Sequence, residues 1–156
     1  MTFNQEFSQA WDFVEHTGIS IFLTGKAGTG KTTFLKYVRE HSTKRMIVVA
    51  PSGVAAINAG GVTIHSFFQL PLSPYIPGAQ IQQRFDFSRD KRRIISTLDM
   101  LVIDEVSMVR ADLLDEIDNV LRRLRRNNRP FGGVQLLLIG DLNQLCPVVT
   151  PEDEAV

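Results

Sequence analysis

The sequence predicts an α/β domain, a parallel sheet covered by helices on both faces. Three observations carry this. Short apolar, β-branched segments alternate with stretches of helical period along the chain, the pattern of a parallel sheet with crossover helices. The run at residues 134–139 is apolar enough to read as a central strand, buried on both sides. A glycine-rich loop sits between a predicted strand and a predicted helix, where a parallel fold places a tight turn.

Taken in order, Phe3, Phe7, Ala10, Trp11 and Val14 recur at helical spacing and predict an amphipathic helix ending near Thr17-Gly18. Residues 19–24 predict a strand, and a second helix follows the glycine-rich loop over residues 31–40. The strand signal returns at residues 46–50. Pro51-Ser52-Gly53 turns the chain, and residues 54–59 predict a short helix stopped by Gly60-Gly61. Residues 69–83 contain Pro71, Pro74 and Pro77 without periodicity and read as a long surface loop. Residues 98–103 predict the third strand. Leu113, Leu114, Ile117, Val120, Leu121 and Leu124 line one face of a helix, and residues 134–139 supply the fourth strand.

Length and composition bound the function. A chain of 156 residues is one domain's worth, so a single domain over residues 1–156 is expected. With 44% hydrophobic and 22% charged residues it has the composition of a globular protein, and no apolar run approaches the roughly 20 residues needed to cross a bilayer, so no membrane association is expected. The N-terminus shows neither a basic stretch nor an apolar signal core, and the lone Cys146 permits no internal disulfide. A cytoplasmic or otherwise intracellular protein, not a secreted one, is expected. Seventeen basic groups balance seventeen acidic ones, so any nucleic-acid surface must be local.

Gly25-Lys26-Ala27-Gly28-Thr29-Gly30-Lys31-Thr32 fits the phosphate-binding pattern G-x-x-x-x-G-K-[ST] in its proper setting, after a strand and before a helix. Gly25, Ala27, Gly28, Thr29, Gly30, Thr32 and Thr33 are the candidate nucleotide contacts. Glycines let backbone N–H groups turn inward toward phosphate oxygens, Lys31 reaches the β- and γ-phosphates of ATP, and Thr32 holds magnesium. Leu101-Val102-Ile103-Asp104-Glu105 is an apolar strand ending in two carboxylates. Asp104 is the candidate second magnesium ligand, and Glu105 the candidate base for an attacking water. Residues 136–139 lead into Gly140-Asp141-Leu142-Asn143-Gln144-Leu145, delivering polar groups to the same sheet edge, with Gln144 a candidate contact to the γ-phosphate or the water.

These three ordered signals resemble the motifs of superfamily one helicases. Ala50-Pro51-Ser52-Gly53-Val54-Ala55-Ala56-Ile57-Asn58-Ala59-Gly60-Gly61-Val62-Thr63-Ile64-His65-Ser66-Phe67 is similar to the DNA-contacting segment of the PIF-type helicases, relatives of the RecD branch. Asp104-Glu105-Val106-Ser107-Met108 and residues 140–148 resemble that family's second and third motifs, so the likeness covers nearly the whole chain. The resemblance implies the first RecA-like domain of a P-loop NTPase with ATP and Mg²⁺ as cofactors. It also implies DNA contacts from Ser52, Gly53, Thr63, His65, Ser66 and Phe67, and 5′-to-3′ movement on single-stranded DNA, often against forked or G-quadruplex DNA. A second RecA-like domain with an arginine finger, which the family carries in cis, has no counterpart before Val156.

The sequence departs from the family pattern in three places. Ser52 stands where threonine is usual, Cys146 replaces the first proline after the Gln-Leu pair, and the adenine-reading glutamine falls to either Gln5 or Gln9, with Phe7 aligned near that position. Residue by residue, simpler readings compete. His65 also fits a hydrogen-bonded core histidine, and Phe67 and Phe68 also fit core. The basic run Arg122, Arg123, Arg125, Arg126 and Arg129 follows Asp112, Asp115, Glu116 and Asp118 on one helix, an order that complements the helix dipole. Arg89, Lys91, Arg92 and Arg93 form a further basic cluster. An AAA-type loader or DNA-repair ATPase would share the phosphate loop and acid pair, and a nucleotide-gated binding module is the non-enzymatic alternative.

Overall fold

A computed structural model describes residues 4–25, 30–70 and 87–141. Five strands, β1 Ile21–Thr24, β2 Met46–Ala50, β3 Val62–Thr63, β4 Met100–Ile103 and β5 Gln135–Gly140, pair in parallel in the order β1-β5-β4-β2-β3. The described α-helices are α1 Gln5–His16, α2 Lys31–His41, α3 Gly53–Ala59, α4 Ile64–Phe68, α5 Arg89–Ser96 and α6 Ala111–Arg125. This is the expected parallel sheet with helices on both faces. None of the described helices is long and apolar enough to cross a membrane.

Successive strand residues point to opposite faces, and the core divides accordingly. Val48, Met100, Val102, Leu137 and Ile139 pack with Val14 of α1 and Phe34, Leu35 and Val38 of α2. Val49, Leu101, Ile103 and Leu136 pack with Phe67 and Phe68 of α4, Ile95 of α5, and Ile117, Val120 and Leu121 of α6. Burial on both faces explains why β4 is apolar throughout. β5 sits between β1 and β4, the interior place expected of it, and its one polar position is satisfied. Gln135, 4% exposed, donates to the carbonyls of Phe13 and Ile19 and accepts from Lys44 Nζ.

Two predicted strands begin two residues later than expected, at Ile21 and Met100. Of the strands and α-helices given above, three were not expected. β3 and α4 have two and five residues, too few to show a period. α5 is mostly charged and is defined by its Ser88 cap, which accepts from the Lys91 N–H, and by the buried Ile95. Most of the proline-bearing loop lies outside the described residues.

Candidate functional site

Parallel strands bring all their carboxyl ends to one edge, and register decides which residues meet there. Thr24 pairs with Gly140, and Ile103 with Leu138, so the residues leaving β1 and β4 flank the end of β5. Gly30 caps α2 with φ of 95°, a left-handed backbone that costs glycine nothing. Lys31 then opens the helix. Its Nζ donates to the carbonyl of Gly25 and, at 3.3 Å, to that of Gly140, so the ammonium lies across the ends of β1 and β5.

On the other side of β5, the chain leaves β4 through Asp104, whose N–H donates to Val49 O at 2.9 Å. Glu105 adopts φ 53° and ψ 43°, left-handed and unusual for a non-glycine residue; such strain collects at functional sites. Its N–H donates to Asp104 Oδ1 at 2.9 Å, fixing the first carboxylate against the second residue's backbone. Burial pushes the Asp104 carboxyl above its ordinary value, while the Glu105 N–H and the Lys31 charge pull it back. The turn after the acids packs close to β5, since a Cβ on Gly140 would stand 2.9 Å from Val106 Cγ1.

Lys31, Thr32, Asp104, Glu105 and Gly140 share the wall of a cavity of about 630 Å³. That volume suits a small-molecule ligand of nucleotide size. The donor set fits a magnesium nucleotide. An ammonium resting on two carbonyl oxygens has acceptors that phosphate oxygens can replace, and a half-buried carboxylate disfavoured in its charged form gains from a cation beside it. Thr33 is exposed and stands outside the cavity wall. Ala27, Gly28, Thr29 and Gln144 lie outside the described residues.

The neighbouring strands carry the second group of candidates. Ser52 and Thr63 follow β2 and end β3, and each caps a helix: Ser52 Oγ accepts from Ala55 N and Thr63 Oγ1 from Ser66 N, both at 3.2 Å. As acceptors, both hydroxyls keep a proton to donate. Gly53 and Ser66 are exposed and His65 is half-buried. His65 Nδ1 is a buried atom with no hydrogen-bond partner among the described residues, so a hydrogen-bonded core histidine finds no support at that atom there.

Phe67 lies deeper than the other candidates of this segment. At 7% exposure it belongs to the core, set edge-on to Phe68 with ring centroids 4.9 Å apart and with Lys91 Nζ 5.4 Å from its centroid. The basic run on α6 also has a specific use. Arg122 pairs with Asp118, and Arg125 donates to the carbonyls of Ile95, Ser96 and Leu98 at the end of α5 and to that of Gly132. Gln5 and Gln9 are exposed, whereas Phe7 packs on Phe34 and Tyr37 of α2. Sequence reasoning missed the Gly140 carbonyl as a rest for Lys31 and the pairing of Arg39 with α3, contacts between distant residues that no local pattern announces.

The PIF1-like helicase family model matches residues 3–155. The ATP-dependent DNA helicase PIF1 of Candida albicans is 42% identical over 139 residues, which cover 85% of this chain and 15% of that protein. The crystal structure of Bacteroides Pif1 bound to ssDNA is similar with a TM-score of 0.91 at 45% identity, over 99% of this chain and 35% of that one. Bacteroides sp Pif1 in complex with ADP-AlF4 gives a TM-score of 0.93 at 45% identity, over 99% and 36%. The chain thus spans little more than a third of the solved relatives and less than a fifth of the fungal one. A match that runs through every strand of the sheet and through both groups of residues at its carboxyl edge identifies the chain as a member of the PIF1-like helicase family.

Proposed function

We propose that this chain is the first RecA-like domain of an ATP-driven DNA helicase, binding magnesium-ATP at the carboxyl edge of its sheet and single-stranded DNA on the segment beside it. The observation that carries this reading is the meeting of Lys31, Asp104 and Glu105 on one cavity, next to the two capping hydroxyls of Ser52 and Thr63. Lys31 binds the β- and γ-phosphates, helped by the backbone of Gly25, Ala27, Gly28, Thr29 and Gly30, with Thr32 and Thr33 following. Thr32 and Asp104 hold magnesium, which when bound supplies positive charge to the phosphate oxygens. Glu105 accepts the proton of the attacking water, its carboxylate aimed by the left-handed backbone, and Gln144 orients that water.

Ser52, Gly53, Thr63, His65 and Ser66 contact the DNA backbone, with Phe67 supporting them from the core. Hydroxyl donors of this kind read phosphates and not bases, in keeping with a motor that travels over any sequence. The same reading takes forked and G-quadruplex DNA as substrates, 5′-to-3′ as the direction and an intracellular location. It also takes a second RecA-like domain, in the rest of a longer chain, as the source of an arginine finger. Support for that last element comes from the small share of its relatives that the chain spans.

ATP turnover, with and without single-stranded DNA, tests the proposal in residues 1–156 beside the full-length protein. An arginine finger contributes about 10³ to 10⁵ in rate, so stimulated turnover is expected in the longer form only. Robust DNA-stimulated turnover by residues 1–156 alone would overturn the assignment of half a site to this domain.

A further inference from the structure

The nucleotide and DNA segments lie on different elements, and one side chain joins them. α2 begins at Lys31 beside the phosphate site, and Arg39 lies two turns further along it. Arg39 Nη1 donates to the carbonyl of Ala59, the last residue of α3, at 2.7 Å. Terminal helix carbonyls have no partner within their own helix, so this contact is one that α3 needs. The fit around it is close. Gly60 has φ 70°, and a Cβ there would stand 2.1 Å from Arg39 Nη1, so the guanidinium occupies the space a side chain would take. On the other side, a Cβ on Gly61 would stand 2.2 Å from the Val48 carbonyl oxygen of β2. The chain at residues 59–61 is therefore gripped between α2 and the sheet just before it enters β3 and α4.

We propose that Arg39 is a positioning residue that couples the nucleotide-binding helix to the DNA-contacting segment. α3 is about two turns long, with Ser52 capping its first turn and Ala59 held at its last. Movement of α2 as its N-terminus takes up or releases phosphates is passed through the Arg39–Ala59 bond to α3. From there it reaches Thr63 and Ser66, which stand two and five residues beyond Gly61 in the chain. The groove between α2 and α3, lined by Arg39, Asn58 and Gly60, opens into the same cavity as Lys31 and Asp104, so the two helices share a ligand-facing wall.

The inference rests on the helicase reading, and its test separates the two. In the full-length protein, the affinity for a labelled oligothymidylate is measured by fluorescence anisotropy, with and without a non-hydrolysable ATP analogue and magnesium. The ratio of the two affinities is the linkage factor, and thermodynamics requires the same factor for the effect of DNA on nucleotide. Coupled sites typically show about 5- to 150-fold. Arg39→Met keeps the aliphatic stem and removes the donors, and is expected to lower the linkage factor at least about fivefold, or to unity where it is smaller. Arg39→Lys restores a donor and is expected to recover most of it. A linkage factor within about twofold of the parent in Arg39→Met would overturn the inference. So would equal weakening of both affinities at constant ratio, the signature of a merely structural contact, or a lysine that fails to rescue. A parent protein without linkage would overturn the helicase reading, and this inference with it.

Discussion

Gly61→Ala tests how firmly the segment after α3 is held. The new Cβ would stand 2.2 Å from the Val48 carbonyl oxygen and 2.8 Å from its carbon. Both are backbone atoms, so no change of rotamer relieves the overlap, and the two chains must part by about an ångström. β2 cannot retreat, because it is paired with β4 over four residue pairs; β3 is paired with β2 over only two and gives way. Overpacking costs about 1–3 kcal/mol, and each ladder hydrogen bond weakened adds about 0.5–1.5 kcal/mol, for about 2–5 kcal/mol together. For a chain of this size that is a fall in Tm of about 5–20 °C. Gly18→Ala is the control, since nothing stands within 4 Å of its Cβ and a small gain of about 0.4–1 kcal/mol is expected there from the stiffer unfolded chain. Thermal unfolding followed by circular dichroism reads both. A parent-like Tm for Gly61→Ala, or an equal fall for Gly18→Ala, would refute the argument from close approach.

Lys31→Ala is expected to abolish binding of a magnesium-ATP analogue, because it removes the charge lying across Gly25 and Gly140; unchanged calorimetric affinity would contradict this. In the full-length protein, Glu105→Gln should leave nucleotide binding in place and slow turnover by about 10² or more, which steady-state kinetics would detect. Gly53→Ala meets no atom within 4 Å and lies in the first turn of α3, so it should raise stability by about 0.5–1 kcal/mol. Should the glycine be there to let a DNA strand approach, affinity for single-stranded DNA falls at the same time, and equal affinity would remove Gly53 from the contact set. Asp104 has its pKa raised by burial, so without metal its contribution to folding declines as pH rises from the ordinary aspartate value through the raised one. Asp104→Asn should melt higher than the parent at neutral pH in the presence of a chelator, with the gain vanishing in acid; a gain that persists in acid would rule burial out as the cause.

What the sequence made legible was local. The strand, glycine-rich loop and helix around Lys31 are adjacent in the chain, and Asp104 and Glu105 end an apolar strand, so both sites could be read from short windows. Contacts between distant windows were not legible. Arg125 looked like one arginine in a basic run, and only the fold shows that it ends α5 by bonding the carbonyls of Ile95, Ser96 and Leu98. Phe67 carried the same ambiguity, since an aromatic beside a DNA motif and an aromatic in a core have one spelling; its depth comes from α4 packing over Val49 and Ile103.

The capping hydroxyls connect these two levels. Ser52 and Thr63 stand in the segment that resembles a DNA contact, and the structure gives each a second task at the first turn of a helix. Capping requires only the side-chain oxygen as acceptor, and serine, which ranks somewhat above threonine as an N-cap, supplies it. Donation to a phosphate requires only the hydroxyl proton that capping leaves over. Neither task uses the methyl group that distinguishes threonine from serine. The departure at Ser52 therefore leaves α3 its cap and leaves a hydroxyl proton free of that task.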